Sequence, residues 1–424
     1  MKRNYYLFVL LSGLALALGG CLRDECKSSR TFVRLDPVYK TPLEFRTGVR
    51  AESPRALHKP GKIYAFQQYL FINERQEGIH VIDNSDPANP RSVAFWAIEG
   101  NVDMAIRGNY LYADQYVDLL TIDIGDLQNP RLVCRSQDAF TLHGFTPGRG
   151  YLVDYLQSQV TEEVSCTDDR WNNPWFRNGD VVFVQMDAAF NGGGTPGFSS
   201  NTSIPAATGI AGSYARFALY DQYLYTVDRS LLRTWSVGKP DCPSKIDSVY
   251  AGWNIETIFP WKDRLFLGSQ TGVFIYNNKN PQKPVQESSF THATGCDPVV
   301  CDDNNAYVTL HSGTTCNGDI NQLDVIGIQN LPWTSLLKSY PMTKPMGLSL
   351  AGNYLYLCDD GLKIFDKSSP ASLQLLSHLK NIKTYDVIAL DASHLLVVGD
   401  SGFLQYDVSD PKNPKQISLL PVAP

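Results

Sequence analysis

The chain has 424 residues, of which 43% are hydrophobic and 19% are charged, and its formal net charge is −6 at pH 7. This composition is too apolar for a disordered chain and suits either one large repeat domain or two to three ordinary domains. Because nucleic-acid-binding proteins present a basic face, the net negative charge gives no reason to expect a nucleic-acid partner.

Residues 1–20 have the features of a signal peptide. Lys2 and Arg3 precede an apolar run over residues 7–18, which ends in Leu18-Gly19-Gly20-Cys21. Twelve apolar residues are too few to span a bilayer as a helix. Leu-Gly-Gly-Cys resembles the lipobox of bacterial lipoproteins, which implies acylation of Cys21 and anchoring to a membrane through its lipid. The alternative is an ordinary signal peptide that precedes an incidental cysteine.

The residues after Cys21 bear on where such a lipoprotein would reside. Residue 22 is Leu and not Asp, and Asp at that position would resemble an inner-membrane retention signal, so the outer membrane is favoured. Asp24-Glu25 resembles the acidic export tag of surface lipoproteins in some Gram-negative bacteria. The periplasmic side and the cell surface both remain open as locations.

Eight further cysteines predict up to four disulfides in an exported protein: Cys26, Cys134, Cys166, Cys242, Cys296, Cys301, Cys316 and Cys358. The short spacing of Cys296, Cys301 and Cys316 predicts one bridge among these three. The spacing typical of zinc sites is absent.

Residues 21–60 are expected to form a tether and an extended segment, and a repeat begins at residue 61. GIHVIDNSDPANP, from Gly78 to Pro90, returns with a period near forty as DLLTIDIGDLQNP, GVFIYNNKNPQKP, GLKIFDKSSPASL and GFLQYDVSDPKNP. Each copy is an alternating apolar run, which predicts a strand, followed by a Ser/Asp/Asn/Pro turn.

A second marker, an aromatic-Leu-aromatic strand such as Tyr110-Leu111-Tyr112, divides the repeat into seven units: 61–100, 101–140, 214–253, 254–294, 295–343, 344–382 and 383–422. Each unit contains four short strands, as in the blade of a propeller. We therefore predict an all-β, seven-bladed β-propeller over 61–424 with a loop insertion at 141–213. Eight blades, if the insertion contains one, and six, if an end unit does not close, are the alternatives.

The units resemble the LVIVD-repeat propeller family of exported bacterial and archaeal proteins. GIHVID, DLLTID, GLKIFD and FLQYDV stand where the strand that names this family falls. The resemblance covers roughly residues 60–422 and weakens where Ser236, Asn277 and Gly327 replace the Asp that ends this strand. It implies a propeller fold without an agreed activity.

The Asp that ends the third strand recurs as Asp83, Asp123, Asp366 and Asp407. We interpret it as a cap for the N–H groups of the following turn, because copies distributed around a ring cannot converge on one site.

The first strand of each blade lines the central channel, and it begins with a charged residue in five units: Asp103, Arg216, Glu256, Asp297 and Asp386. Four carboxylates and one arginine are therefore expected near one mouth of the channel. Because crowded like charges recruit cations, this pattern predicts a Ca²⁺ ion or a cationic small ligand. The competing interpretation is a solvated opening balanced by Arg216.

The insertion contains strand-like runs at residues 151–156 and 181–186. Trp171, Trp175 and Phe176 lie between them among Asn, Asp and Arg, a composition typical of a binding loop for a protein or a glycan. The alternative is a hairpin with these aromatic residues as its own small core.

Sequence motifs of common enzymes are absent, and the seven histidines are scattered. We therefore expect a lipid-anchored binding or protein-interaction module of the cell envelope rather than an enzyme. The alternative is a metal-assisted propeller hydrolase or lyase that acts on sugars or lactones. A third hypothesis, a scaffold for an outer-membrane complex, predicts an exposed apolar patch.

Overall fold

The computed structural model describes residues 26–141, 144–167, 175–178, 180–185, 210–213, 215–291, 298–312 and 320–423. The chain separates into two compact units. The first comprises the described parts of Met1–Val38 and Asp154–Phe190, and the second comprises those of Tyr39–Val153 and Asn191–Pro424. The elements outside the blades are β1 (Lys27–Lys40), α1 (Pro42–Phe45), β2 (Arg50–Glu52), β11 (Phe145–Thr146), β12 (Gly150–Ser165), β13 (Trp175–Asn178), β14 (Val181–Gln185) and β15 (Ile210–Ala211).

The first unit is a small sheet that joins the N-terminal segment to the insertion. Its strands neighbour one another in the order β12, β1, β14, β13. Phe32 in β1 faces Gln185 in β14, and the pairing is antiparallel. A disulfide links Cys26 to Cys166. The extended N-terminal segment therefore contributes a strand to the predicted insertion.

The second unit is a seven-bladed β-propeller, and each blade has four antiparallel strands, as predicted. The first blade contains β3 (Pro60–Phe66), β4 (Tyr69–Glu74), β5 (Gly78–Asp83) and β6 (Arg91–Ala97). The second contains β7 (Met104–Arg107), β8 (Tyr110–Gln115), β9 (Asp118–Asp123) and β10 (Arg131–Ser136). The third contains β16 (Phe217–Tyr220), β17 (Tyr223–Ser236) and the start of β18 (Ser244–Trp261). The fourth blade contains the end of β18, β19 (Arg264–Ser269), β20 (Gly272–Asn277) and β21 (Val285–Thr291).

The last three blades follow in chain order. The fifth blade contains β22 (Val299–Cys301), β23 (Asn305–Leu310), β24 (Gln322–Gly327) and β25 (Ser335–Pro341). The sixth contains β26 (Leu348–Ala351), β27 (Tyr354–Cys358), β28 (Leu362–Asp366) and β29 (Gln374–Leu379). The seventh contains β30 (Thr384–Ala389), β31 (His394–Gly399), β32 (Gly402–Asp407) and β33 (Lys415–Pro421). A 3₁₀ turn, Pro370–Ser372, lies between β28 and β29.

In the third and fourth blades, two long strands, β17 and β18, each take the place of two blade strands. In β17, Thr226 pairs with Phe217 of the first strand, whereas Leu231 pairs with Tyr250 of the outer strand. β17 thus supplies the second and third strands of its blade. β18 forms the outer strand of the third blade and then continues as the innermost strand of the fourth, where Trp261 faces Arg264.

The glycine that opens the third strand of a blade is required by close packing. A Cβ atom on Gly78 would lie 2.0 Å from the main-chain oxygen of Trp96 in the outer strand, and Gly361 stands in the same relation to Leu379. Both glycines also have positive φ values. In these copies the repeat motif begins with glycine because a side chain would displace the outer strand.

The core lies between neighbouring blades and not within any one of them. One apolar cluster contains Phe71, Trp96, Leu111 and Leu224 from the first three blades, and another joins the seventh blade to the first through Phe403 and Ile72. Because a single blade buries one face only, the stacked ring is the smallest arrangement that buries both.

Candidate functional site at the channel mouth

Antiparallel topology places two sets of connections at one end of the blades. The segments that enter each first strand and the hairpins between second and third strands lie at this end, which we call the mouth face. The turns between first and second strands and between third and fourth strands lie at the other end, which we call the turn face. The predicted charged residues Asp103, Arg216 and Glu256 belong to the mouth face.

Asp103 is buried, and its carboxylate forms an ion pair with Lys62. The backbone N–H of Arg216 donates to Asp103 Oδ2 at 2.5 Å. Lys62 lies 41 residues before Asp103, one repeat earlier, and occupies the corresponding position in the first blade. The expected set of four carboxylates and one arginine omitted this lysine, so the mouth is more nearly balanced in charge than predicted.

Arg216 extends the same network to a second carboxylate. Its guanidinium donates to Asp114 Oδ2 at 3.0 Å. Asp114 Oδ1 also accepts the backbone N–H groups of Val102 at 2.7 Å and Asp103 at 2.8 Å. Lys62, Asp103, Arg216 and Asp114 therefore form one buried network, which we call the mouth network.

Burial shifts the pKa of two members of the mouth network, Lys62 and Asp114. It lowers the pKa of the Lys62 ammonium to about 8, although Asp103 acts in the opposite direction. It raises the pKa of the Asp114 carboxyl against the effect of Arg216. This pattern is that of an internal ion-pair network that positions the inner strands.

Two further predicted mouth residues, Glu256 and Asp386, have neighbours elsewhere in the propeller. Glu256 Oε1 accepts Gln270 Nε2 at 2.8 Å, and burial raises the Glu256 pKa while the nearby Arg216 lowers it. Asp386 is fully buried beside Gly347, where an added Cβ would lie 2.2 Å from Asp386 Oδ1. Asp297 lies outside the described residues.

Within the described parts of the chain, no group of three or more His, Cys, Asp or Glu side chains is placed to hold a metal ion. The Ca²⁺ ion or cationic ligand at the mouth stays a prediction, because Asp297 is not among those parts.

The channel itself contains a segment of the chain. β15 pairs with β3, the innermost strand of the first blade, and Ala211 faces Tyr64. Ser213, two residues later, accepts a hydrogen bond from the backbone of Leu348 in the sixth blade at 3.2 Å. Residues 210–213 thus pass between the innermost strands of two non-adjacent blades and occupy part of the channel.

A second series of carboxylates, which the sequence analysis missed, holds the entry of the innermost strands. Glu74 accepts the N–H groups of His58 and Lys59, and Asp359 accepts those of Thr343 and Lys344. Asp114 makes the equivalent contacts in the second blade. The sequence does mark these acids, because each follows the aromatic-Leu-aromatic marker by two or three residues.

The strand-ending Asp has the predicted structural role. Asp83 Oδ1 accepts the N–H of Ser85 at 3.0 Å, and Asp366 and Asp407 make the same contact two residues ahead. Asn277 replaces the acid in the fourth blade and still accepts the N–H of Lys279 at 3.0 Å. The cap therefore needs an oxygen acceptor and not a charge.

The described residues contain two disulfides, and one of them lies in the propeller. Cys134 in β10 is bonded to Cys242, which lies between the third and fourth strands of the next blade. Cys301 and Cys358 are free and buried. Cys301 therefore takes no part in the bridge predicted among Cys296, Cys301 and Cys316, whose other two members lie outside the described residues.

Two further sequence predictions fall on residues that the structure describes partly or not at all. Cys21 and Trp171 lie outside the described residues. Trp175 and Phe176 belong to β13, whose backbone pairs with β14. The interaction loop and the lipidated cysteine therefore stay predictions.

The described residues contain no helix with the length and apolar character needed to cross a membrane.

Comparison with known proteins confirms the repeat. The LVIVD repeat model matches residues 62–94, 101–138 and 344–380. No curated protein sequence matches the chain. A crystal structure of a protein from Lactobacillus plantarum is similar with a TM-score of 0.53 and 11% identity, and the match covers 86% of this chain and 97% of that one. At this identity the likeness shows the fold alone.

Two other similar structures have lower TM-scores. BamB from Moraxella catarrhalis has 9% identity and a TM-score of 0.45, with coverage of 80% of this chain and 81% of that one. PorZ, a bacterial surface component of the type-IX secretion system of Porphyromonas gingivalis, has 12% identity and a TM-score of 0.45. That match covers 88% of this chain and 39% of PorZ.

Proposed function

Since this chain is a β-propeller that contains LVIVD repeats, we propose that it serves as a lipid-anchored module that binds a protein partner in the bacterial envelope. The lipobox-like sequence at Cys21 supports the anchor, and the disulfides support an oxidising compartment. The observation that carries the binding role is the outer edge of the fifth blade.

This edge is apolar and uncovered. Trp333 in the turn before β25 is 79% exposed, and Leu336 and Leu337 in β25 are 49% and 43% exposed. Exposed apolar edge strands favour association with other chains, so soluble proteins normally cover or charge them. Lys338 is the single charged residue of β25. We call Trp333, Leu336 and Leu337 the fifth-blade edge.

The first blade shows how such an edge is occupied in this molecule. β2 adds a strand to the outer edge of β6, where Ala51 faces Trp96. An extended segment of a partner protein would add to β25 in the same way, with main-chain hydrogen bonds for affinity and apolar contacts for specificity. The partner segment that we propose at β25 is an extended strand with apolar side chains at alternate positions.

The experiment is site-specific crosslinking in cells. A photoreactive residue at Leu337 should form an adduct with one protein, and Leu336→Glu should remove it. Leu375 in β29 is also exposed, so a photoreactive residue there and the variant Leu375→Glu are the matched controls. The identified partner segment, as a synthetic peptide, should bind the purified protein and not the Leu336→Glu variant. Failure of the peptide to bind would overturn the proposal.

The lipid anchor is tested separately. Cys21→Ala should move the protein from the membrane fraction to the soluble fraction, and mass spectrometry of the N-terminal peptide should detect acyl chains on Cys21. A peptide without acyl chains in the unmodified sequence would contradict the anchor.

A further inference from the structure

The turn face contains crevices between neighbouring blades, and at two junctions a tyrosine of the second strand forms a hydrogen bond with the next blade. In the second blade, the Tyr112 hydroxyl donates to the Pro240 carbonyl of the next blade at 2.9 Å. In the third blade, Tyr225 donates to Pro281 in the same way at 2.7 Å. The tyrosine thus reaches the turn of the following blade and closes the gap.

The first and fourth blades have phenylalanine at this position. Phe71 and Phe266 have no hydroxyl, and the residues that correspond to Pro240 and Pro281 in the next blades are Leu127 and Leu331. The Leu127 carbonyl instead accepts Trp96 Nε1 of the first blade at 2.9 Å. A crevice is present at both places. The one between the first and second blades has a volume of about 450 Å³, and the one between the fourth and fifth about 200 Å³.

We infer that the larger crevice is a binding site for a neutral saccharide. Its volume lies within the range of roughly 300–1,000 Å³ that is usual for small-molecule sites, and the smaller crevice lies below that range. Gly108 contributes to the opening, because an added Cβ there would meet no atom within 4 Å.

The lining of this crevice matches the two sides of a sugar ring. Phe66 and Tyr69, which are partly exposed, supply aromatic surface for the apolar C–H face, and the fully buried Phe71 also lines the crevice. Gln67 and Asn109 supply exposed amides, and neither side chain has a hydrogen-bond partner within the described residues. An amide both donates and accepts, as pairing with hydroxyl groups requires.

Charge excludes the main competing ligands. Asp83 and Asp126 line the crevice, and none of its lining residues is Lys or Arg. Phosphates and other anions would therefore be repelled. Asp83 is already paired with Arg91 at 3.0 Å, and Asp126 caps Gln128 N at 2.9 Å, so the two carboxylates are committed acceptors and not open cation sites.

The test is ligand-observed saturation-transfer NMR on the purified full-length protein with glucose, galactose and N-acetylglucosamine as probes. At least one sugar should give a signal. Phe71→Tyr should weaken that binding at least tenfold, because the new hydroxyl would take up space between Phe71 and the turn at Leu127, whose carbonyl already accepts Trp96 Nε1. Phe266→Tyr makes the same change at the smaller crevice and should leave binding unchanged.

A second variant keeps the test independent of folding. Gln67→Ala combined with Asn109→Ala changes exposed side chains only and should also weaken sugar binding, while the melting temperature stays that of the unmodified protein. No signal from any of the three sugars, equal loss in Phe71→Tyr and Phe266→Tyr, or a signal from 1,4-diaminobutane alone would overturn the inference.

Discussion

Asn84 of the first blade and Gln405 of the seventh exchange two amide hydrogen bonds across 321 residues of sequence. Asn84 Nδ2 donates to Gln405 Oε1 at 3.1 Å, and Gln405 Nε2 donates to Asn84 Oδ1 at 2.7 Å. Both side chains are buried. Among the described strands none is shared between the first and last blades, so the ring is closed by this amide pair, the apolar cluster beside it and main-chain contacts at Leu57.

Removal of one amide should destabilise the closure. Gln405→Leu leaves the buried Asn84 amide without its partner, and we expect a loss of about 1–3 kcal/mol in the free energy of unfolding, measured by chemical denaturation. The double variant Asn84→Leu with Gln405→Leu should lose less than the sum of the single variants.

Gln286→Ala is the control for this pair, because Gln286 is exposed on β21. It should change the free energy of unfolding by no more than about 0.5 kcal/mol. A Gln405→Leu variant as stable as this control would show that the amide pair does not hold the ring closed.

Lys62→Met should be strongly destabilising because Asp103 would keep its buried charge without the lysine. Breaking a buried pair on one side costs about 3–5 kcal/mol. Addition of Asp103→Asn to Lys62→Met should recover part of the loss, as measured by thermal unfolding. If the single and double variants melted at the same temperature, Lys62 would have no role as the counter-ion of Asp103.

Acid should destabilise the propeller through its turns. Hydrogen bonds from the turns hold the pKa of Asp83, Asp123, Asp366 and Asp407 below the ordinary value, with salt bridges to Arg91 and Arg131 contributing at the first two. A carboxyl whose folded pKa is lowered stabilises the protein above the unfolded pKa, near 4, and this contribution is lost as the pH falls through the folded pKa. The melting temperature should therefore decrease when the pH is lowered below about 4.

Asn277, which caps its turn without a carboxylate, suggests a variant that tests this prediction. Asp→Asn at these four positions keeps an oxygen acceptor for each turn and removes the titration, as the fourth blade does naturally. The fourfold variant should show a weaker dependence of melting temperature on pH between 2 and 5. Asp114 and Glu256, whose pKa values burial raises, act in the opposite direction and are unchanged in this comparison.

The disulfide between the second and third blades should contribute measurably to stability. Cys134 and Cys242 are 108 residues apart, and a cross-link over a loop of this length typically stabilises by about 2–5 kcal/mol. Cys134→Ala with Cys242→Ala should lower the melting temperature, and a reducing agent should lower that of the unmodified protein but not of the variant. Equal sensitivity of both to reduction would assign the effect to the bond between Cys26 and Cys166.

The repeat made the propeller predictable. Period-2 alternation, turn residues and the aromatic-Leu-aromatic marker recur in each unit, so weak local signals accumulate until the four-stranded blade and the number of blades are determined. The cap role of Asp83 followed from its position alone, since a side chain at a strand end contacts its own turn.

Contacts between blades were harder to predict. Lys62 pairs with Asp103 because equivalent positions of adjacent blades become neighbours in the ring, yet the charge pattern was traced from the second blade onward and Lys62 was missed. The difference between Phe71 and Tyr112 is a single oxygen atom, and its effect on a crevice depends on the distance to the next blade. Periodicity gives the position of a residue in its repeat, whereas the fit between repeats requires coordinates.

The contact between the first and last blades would permit circular permutation of the chain. Leu57 and Val422 form a parallel bridge, and the backbone N–H of Ala423 donates to Leu57 at 2.6 Å. The two ends of the ring are thus neighbours, and all four strands of every blade are contiguous in sequence. A short peptide that links these ends, with new termini opened between two other blades, would yield a circular permutant that starts at a different blade and keeps the same order of blades around the ring.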